Sequence, residues 1–149
     1  MSVIMNPLET AITIAVQSHQ GQLDKSGQPY ILHPLRVMFR CEGDLARTVA
    51  VLHDVVEDTP TTLEDLRNAG FSEEILAALD CVTKRKGESY EAFVERAAAN
   101  PIARKVKLAD LEDNMDLRRL PAADLSPRAV DRLNRYIAAW HRLQEPILR

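Results

Sequence analysis

The chain has 149 residues, a length that fits a single domain, 1–149, with a buried core. Apolar residues make up 46% and charged residues 28%, and the net charge of −3 gives no overall attraction for nucleic acid. No apolar run approaches the ~20 residues of a membrane span, and the N-terminus lacks a signal-peptide pattern. We therefore predict a globular, cytoplasmic protein that binds neither membranes nor nucleic acid.

Helix signals recur along the whole chain. Capping residues, first-turn prolines and apolar residues at helical spacing mark the predicted starts, and glycines mark several ends. In chain order, the predicted helices cover about residues 7–19, 34–43, 44–58, 61–70, 72–82, 89–99 and 101–120, and a last helix runs from 126 past 140. No stretch alternates as a strand would. The sequence predicts an all-α fold, a compact bundle of about seven or eight helices.

Both cysteines and two of the four histidines are expected to be structural. Cys41 and Cys81 lie in apolar-periodic segments without metal-motif spacing, which favours buried free thiols over a disulfide. His19 is expected to pack or to bond a loop. His141 lies late in the last helix and is expected at the surface.

Chemistry-bearing residues are concentrated in the segment from His53 to Asp58. On a continuous helix, Asp54 has Glu57 three and Asp58 four residues away, and His53 has Glu57 four residues away. One helix edge would then present one imidazole and three carboxylates without a lysine or arginine among them. Such groups repel one another and are costly to bury, so a bound cation is the simplest relief. An exposed acidic helix end is the alternative interpretation.

Two further residues favour a metal site. His33 precedes Pro34 at the edge of a predicted helix, and Asp110 stands in the mostly apolar segment 107–111. The predicted ligands are His33, His53, Asp54 and Asp110. This nitrogen and oxygen set suits Mn²⁺ or Fe²⁺, with Zn²⁺ as an alternative, and leaves positions for water and substrate. One ion is expected because the chain offers few further ligands.

Glu57 and Asp58 are the predicted catalytic pair. Carboxylates are unfavourable at a helix C-terminus, so simple surface acidity explains them poorly. Beside a metal site, a carboxylate can orient water, take its proton or protonate a leaving oxygen. The residues alone therefore favour a metal site whose neighbouring carboxylates assist the reaction of water.

Several motifs also occur in the order found in a known family. They are Gly21-Gln22, Lys25-Ser26-Gly27-Gln28-Pro29-Tyr30-Ile31-Leu32-His33-Pro34, His53-Asp54-Val55-Val56-Glu57-Asp58-Thr59, Val82-Thr83-Lys84, Val106-Lys107-Leu108-Ala109-Asp110 and Asn114-Met115. Together they resemble the hydrolase domain of Rel/Spo-type alarmone enzymes, within the HD-domain phosphohydrolase superfamily. The resemblance spans roughly residues 8–140. It implies a stand-alone hydrolase of the HD-domain fold, because little chain remains for synthetase or regulatory domains.

The resemblance also implies roles for individual residues. It implies that His33, His53, Asp54 and Asp110 hold Mn²⁺, and that water attacks the 3′-linked pyrophosphate of (p)ppGpp, releasing pyrophosphate and GDP or GTP. Glu57 and Asp58 are implied to assist this hydrolysis. The implied substrate contacts are Lys25, Ser26, Asn114, Arg132 and Tyr136, the last two as an Arg-x-x-x-Tyr pair that contacts ribose and phosphate.

Two positions depart from the family pattern. Asp24 stands where the family has an arginine that stacks on guanine, and Asp116-Leu117 stand where it tends to Arg-Thr. A carboxylate cannot supply a cation–π contact and repels a phosphate-rich ligand. An alternative is therefore an HD-type phosphohydrolase acting on a different phosphorylated nucleotide. A non-catalytic nucleotide-binding module is a third hypothesis, which the complete ligand set and catalytic pair disfavour.

Overall fold

The computed structural model describes residues 6–119, 123–124 and 126–145. In chain order, the helices are α1 (Pro7–Ser18), α2 (Leu32–Arg40), α3 (Asp44–Leu52), α4 (Val55–Asp58), α5 (Leu63–Asn68), α6 (Glu73–Cys81), α7 (Tyr90–Ala99), α8 (Pro101–Asn114) and α9 (Pro127–Gln144), with a 3₁₀ turn at Leu117–Arg119. With the single turn α4 taken as a continuation of α3, these ranges contain eight helices and no strand. The predicted all-α fold is confirmed. None of these described helices combines the length and apolar composition needed to cross a membrane.

Side-chain caps explain why most predicted helix starts are correct. Asn6 accepts a hydrogen bond from the backbone N–H of Leu8 at 2.8 Å. Ser72, Ser89 and Ser126 accept in the same way from the third residue after each of them. These bonds satisfy N–H groups that have no partner within the helix. Gly70 follows α5 with φ 99°, a conformation that favours glycine, as its predicted stop requires.

The predicted capping box at Thr61 and Glu64 is wrong by one residue. Thr62 Oγ1 accepts from Asp65 N at 3.1 Å, and Asp65 Oδ2 accepts from Thr62 N at 2.9 Å. The Thr61 hydroxyl instead bonds the Ser18 hydroxyl of α1 at 3.0 Å. Both registers match the capping spacing, and the tertiary bond to α1 selects the second.

Two predicted helix boundaries also differ. α2 begins at Leu32, two residues before Pro34, because a proline is tolerated throughout the first turn, where N–H groups have no helical partner. α8 ends at Asn114, short of the predicted end near 120, because Asp116 Oδ1 accepts from Arg118 N at 3.0 Å and starts the 3₁₀ turn. Residues 120 and 121, the predicted end, lie outside the described residues.

The predicted continuous helix over 44–58 is interrupted at His53 and Asp54. The backbone N–H and the ring Nδ1–H of His53 both donate to the Ala50 carbonyl oxygen, at 3.3 and 2.6 Å. In a continuous helix, the Ala50 carbonyl would accept from the backbone N–H of Asp54. Asp54 instead has φ −102° and ψ −1°, away from the values of a regular α-helix. The His53 imidazole thus competes with the backbone for the Ala50 carbonyl. The helix break falls at two of the predicted metal ligands, His53 and Asp54.

The core places α3 and α8 at the centre of the structure. Val49, Val51 and Leu52 of α3 are fully buried where α3 packs against α1, α2 and α8. Burial of one such leucine contributes about 2 kcal/mol to stability. A second apolar cluster, with Leu111 and Leu143 among its members, joins α8 to α7 and α9. The elements that carry the predicted ligands are therefore held on several sides.

The residues expected to be structural lie as predicted in most respects. Cys41 is a buried free thiol, whereas Cys81 is a free thiol that is only half-buried. His19 is buried, and its Nδ1 lies 2.9 Å from Gln22 Oε1. His141 is exposed on α9.

One arginine of α7 holds the loop between α6 and α7. Arg96 donates to the carbonyl oxygens of Asp80 and Thr83, at 2.7 and 2.8 Å, near the end of α6. It also donates to both carboxylate oxygens of Glu88, at 2.6 and 2.8 Å, and these bonds lower the pKa of Glu88 to about 2. The carbonyls at a helix end lack helical partners, so Arg96 fixes the path of the loop that contains Lys84.

We expect Arg96→Met to destabilise the fold by about 1–3 kcal/mol, because the Asp80 and Thr83 carbonyls and the Glu88 carboxylate each lose a charged donor. Urea unfolding followed by circular dichroism measures the change. Arg142→Met is the matched control, since Arg142 pairs with Glu95 on the surface. Equal losses in the two variants would contradict the role given to Arg96.

Candidate metal centre and active site

The four predicted ligands converge from three parts of the chain. His33 lies in the first turn of α2, His53 and Asp54 at the break between α3 and α4, and Asp110 in α8. His33 Nε2 lies 3.0 Å from Asp110 Oδ1 and 3.6 Å from Asp54 Oδ2. His53 Nε2 lies 3.3 Å and 3.0 Å from the same two oxygens. Two imidazole nitrogens and two carboxylate oxygens thus face one another in a largely buried cluster.

The second nitrogen of each imidazole has a fixed partner. His33 Nδ1 donates to Asp113 Oδ2 at 2.6 Å, and His53 Nδ1 donates to the Ala50 carbonyl oxygen at 2.6 Å. These bonds orient both rings and leave Nε2 as the nitrogen directed to the cluster. The sequence reasoning missed Asp113, although its position three residues after Asp110 on α8 places it on the same helix face.

Burial and charge act in opposite directions on the side chains of this cluster. Burial disfavours a charged imidazole, but Asp110 raises the pKa of His33, and Asp54 and Asp110 raise the pKa of His53. Burial also disfavours the carboxylate of Asp110, yet Lys107 and the two imidazoles lower its pKa. A divalent cation would satisfy the two Nε2 atoms and the same carboxylates together. The donor set therefore fits a metal ion.

Neighbouring side chains hold the two carboxylates. The Tyr30 hydroxyl donates to Asp54 Oδ2, and Asn114 Nδ2 donates to Asp110 Oδ1 at 3.1 Å. Asn114, which was predicted to contact substrate, thus donates to Asp110, one of the predicted metal-ligating residues. Donor atoms of His33, His53 and Asp54 lie within 4.8 Å of one another, which is compatible with ligation of one ion.

The predicted catalytic pair remains beside the cluster despite the helix break. Carboxylate oxygens of Asp54, Glu57 and Asp58 lie within 4.8 Å of one another. Glu57 Oε1 accepts from the backbone N–H of Lys84 at 2.7 Å. Burial and the charges of Asp54 and Glu57 raise the pKa of Asp58 to about 6. Both side chains are exposed enough to meet a ligand.

Asp24 is engaged within its own loop. Its Oδ1 accepts from the backbone N–H groups of Ser26 and Gln28, at 2.8 and 2.9 Å. Its Oδ2 lies 3.8 Å from Arg119 Nη2. The expectation that a bare carboxylate at this position repels an anionic ligand is therefore weakened, because the charge has partners inside the molecule.

Lys25 of this loop interacts electrostatically with two arginines of α9. Partial burial lowers the pKa of Lys25, and the charges of Arg132 and Arg128 lower it further. The predicted residues Lys25 and Arg132 thus act on each other electrostatically, and Arg128, one helical turn earlier on α9, acts on Lys25 as well. Sequence spacing from Arg132 was the available signal for Arg128. Cations that raise one another's energy in this way favour an anionic ligand.

Tyr136 lies beside a tyrosine that the sequence reasoning missed. The ring centroids of Tyr136 and Tyr90 are 6.5 Å apart, and the Arg135 guanidinium lies 5.6 Å from the Tyr90 centroid. The Tyr90 hydroxyl is buried and has no hydrogen-bond partner among the described residues. Burial raises the pKa of this hydroxyl, so it remains protonated and can donate to a ligand.

Comparison with known proteins finds relatives for most of the chain. No family model matches it. A GTP pyrophosphokinase of Streptomyces coelicolor is 37% identical over 93% of this chain and 18% of its own length. A guanosine-3′,5′-bis(diphosphate) 3′-pyrophosphohydrolase of Borreliella burgdorferi is 35% identical over 89% of this chain and 22% of its own length. Over about nine tenths of its length, the chain is therefore similar to one part of each of these two proteins.

The match concerns only part of each curated relative. The chain spans about a fifth of the length of these two curated relatives. A solved metazoan orthologue of SpoT, described as hydrolysing ppGpp, has a TM-score of 0.77 and 23% identity to this chain. The alignment covers 97% of this chain and 89% of that one, so the two share one fold.

Lys107 is a nearly buried cation beside the candidate metal centre. Its Nζ donates to Asp110 Oδ2 at 2.9 Å and lies 4.9 Å from the centroid of the Phe93 ring. The negative charge of Asp110 raises the pKa of Lys107 against the opposing effect of burial. Lys107 therefore neutralises a carboxylate for which a metal ion would compete.

We expect Lys107→Met to lower the melting temperature of the metal-free protein and to increase the stabilisation produced by added Mn²⁺. Without the ammonium, the cluster carries one more uncompensated negative charge, which the ion relieves. Thermal melts with and without saturating Mn²⁺ measure both effects. Lys105→Met, at an exposed position of α8, is the control. If Lys107→Met lowered the melting temperature equally with and without Mn²⁺, Lys107 would contribute only packing, and its proposed charge-neutralising role would be wrong.

Proposed function

We propose that this chain is a metal-dependent phosphohydrolase that removes the 3′-pyrophosphate from the guanosine alarmones (p)ppGpp. The observation that carries the proposal is the cluster of His33, His53, Asp54 and Asp110, with Glu57 and Asp58 beside it. The Borreliella relative and the metazoan SpoT orthologue, both described as acting on this nucleotide, support the choice of substrate.

The four cluster residues would hold one divalent cation, which we propose to be Mn²⁺. Imidazole and carboxylate donors suit Mn²⁺ or Fe²⁺, and Zn²⁺ is the remaining alternative. A cation bound there supplies neutralisation of phosphate charge and activation of water. Asp113 and the Ala50 carbonyl keep His33 and His53 aimed at it.

Glu57 and Asp58 are the proposed acid–base groups. The oxygen of water forms a bond to the phosphorus attached to ribose O3′, and the bond between that phosphorus and O3′ breaks. A proton leaves the water and a proton reaches O3′, so the products are pyrophosphate and GDP or GTP. Glu57 or Asp58 can accept the first proton and supply the second, since both carboxylates adjoin Asp54.

The cations of the loop and of α9 are the proposed phosphate contacts. Lys25 stands on an exposed loop, and Arg128 and Arg132 act on it from α9. Ser26 and Tyr136 are proposed as neutral contacts on the same side. The three cations repel one another when no anion is bound, and a phosphate-rich nucleotide would relieve that repulsion.

The purified chain with Mn²⁺ is expected to convert ppGpp to GDP and pyrophosphate, measured by separation of the products. A panel containing ppGpp, pppGpp, the 3′-monophosphate nucleotide and adenine counterparts tests base and phosphate preference together. Parallel reactions with Fe²⁺ and Zn²⁺ test the choice of metal.

Absence of ppGpp turnover at every metal loading would refute the proposal. A much higher kcat/KM for a nucleotide other than a guanosine alarmone would instead favour the different-nucleotide hypothesis. The internal partners of the Asp24 carboxylate weaken the main support for that second hypothesis.

Variants at Asp54 and Glu57 separate metal binding from proton transfer. Asp54→Ala is expected to lose both Mn²⁺ binding and turnover. Glu57→Gln is expected to keep Mn²⁺ binding and lower kcat about 100-fold or more, because a carboxamide cannot accept the proton. The glutamine oxygen can still accept from Lys84 N, so the loop stays in place. Calorimetry and steady-state kinetics measure the two properties, and wild-type kcat in Glu57→Gln would contradict its role.

A further inference from the structure

A fully buried carboxylate connects the candidate metal centre to a residue outside it. Asp113 Oδ2 accepts from His33 Nδ1 at 2.6 Å and lies 2.8 Å from Arg119 Nη1. Arg119 Nη1 also donates to the Asp113 carbonyl oxygen at 2.7 Å. The guanidinium therefore holds both the side chain and the backbone of the residue that orients His33.

The same arginine contacts the loop of residues 24–28. Ser26 Oγ donates to the Arg119 carbonyl oxygen at 3.2 Å, and Arg119 Nη2 lies 3.8 Å from Asp24 Oδ2. Asp24 Oδ1 in turn accepts the N–H groups of Ser26 and Gln28. One residue of the 3₁₀ turn thus contacts the partner of His33 at one end and the loop at the other.

Neutralising Asp113 does not by itself require Arg119. Arg36 Nε lies 2.9 Å and Arg40 Nη2 3.8 Å from Asp113 Oδ1, and both arginines belong to α2. Neither has a contact with the 24–28 loop among the hydrogen bonds and ion pairs of the described residues. What distinguishes Arg119 from these two cations is its contact with the loop.

We propose that Arg119 is a positioning residue that couples ion binding at His33 to the conformation of the 24–28 loop. Binding of the ion fixes the His33 ring, and through Asp113 and Arg119 it orders the loop that carries Lys25. By reciprocity, a ligand that orders the loop strengthens ion binding by the same factor. The proposal rests on the proposed function where it makes this loop part of the substrate site.

Hydrogen exchange with Mn²⁺ alone as the probe tests the coupling. In the wild-type protein, Mn²⁺ is expected to slow exchange of the amides of residues 24–28. In Arg119→Met, those amides are expected to exchange faster without metal and to gain no protection from it, and the Kd for Mn²⁺ rises about tenfold. Arg118→Met is the control, because Arg118 lies in the same turn, is 85% exposed and pairs with Asp116.

A conservative variant and kinetics distinguish positioning from simple charge. Arg119→Lys keeps a cation beside Asp113 but cannot reach Asp24 at the same time. It is expected to recover Mn²⁺ affinity without recovering the loop protection. With ppGpp, Arg119→Met is expected to raise KM by a larger factor than it lowers kcat, because the loop carries a proposed phosphate contact.

The coupling is overturned if Mn²⁺ leaves loop exchange unchanged in the wild type, or if Arg119→Met matches Arg118→Met in exchange and Mn²⁺ affinity. Failure of the proposed function has a different signature. In that case the wild type does not hydrolyse ppGpp, while the metal-dependent protection persists and is lost in Arg119→Met.

Discussion

Two carboxylates, Asp54 and Asp110, face two imidazoles inside the helical bundle, and the surrounding structure serves to make that burial tolerable. An isolated charge at this depth would cost several kcal/mol, so each carboxylate needs partners. α8 supplies many of them at helical spacing, since Lys107 and Asn114 both reach Asp110 from the same helix. The candidate metal centre is therefore as much a property of α8 as of the His53-Asp54 pair.

The break between α3 and α4 gives His53 its orientation. A histidine in a regular helix would leave the Ala50 carbonyl to the backbone, whereas here the ring Nδ1–H takes that carbonyl. The backbone loses a helical bond and the side chain gains a fixed direction. Glu57 and Asp58 still lie beside Asp54, because the single turn α4 restores helical spacing directly after the break.

The helical fold was predictable because its signals are local, whereas the four proposed ligands were chosen by residue type, by apolar context and by the family resemblance. Caps at Asn6, Ser72 and Ser89 depend on residues within three positions, and hydrophobic spacing supplies the rest. The features missed depend on tertiary contacts. Asp113 and Arg119 contact His33 and the 24–28 loop, which lie far from them in the sequence. The register of the Thr62 capping box depends on the hydrogen bond between Thr61 and Ser18 of α1. Periodicity carries no information about such partners.

Asp24 stabilises its own loop at a position where the family resemblance leads one to expect a base-stacking arginine. Its carboxylate accepts hydrogen bonds from the backbone N–H groups of Ser26 and Gln28. The turn is therefore already formed without a bound ligand. A turn assembled in advance loses little conformational entropy on meeting a ligand. An arginine introduced at position 24 would remove the oxygen that accepts both hydrogen bonds, and the loop conformation that holds Lys25 would lose this support. In this chain, residue 24 stabilises the loop itself through these contacts.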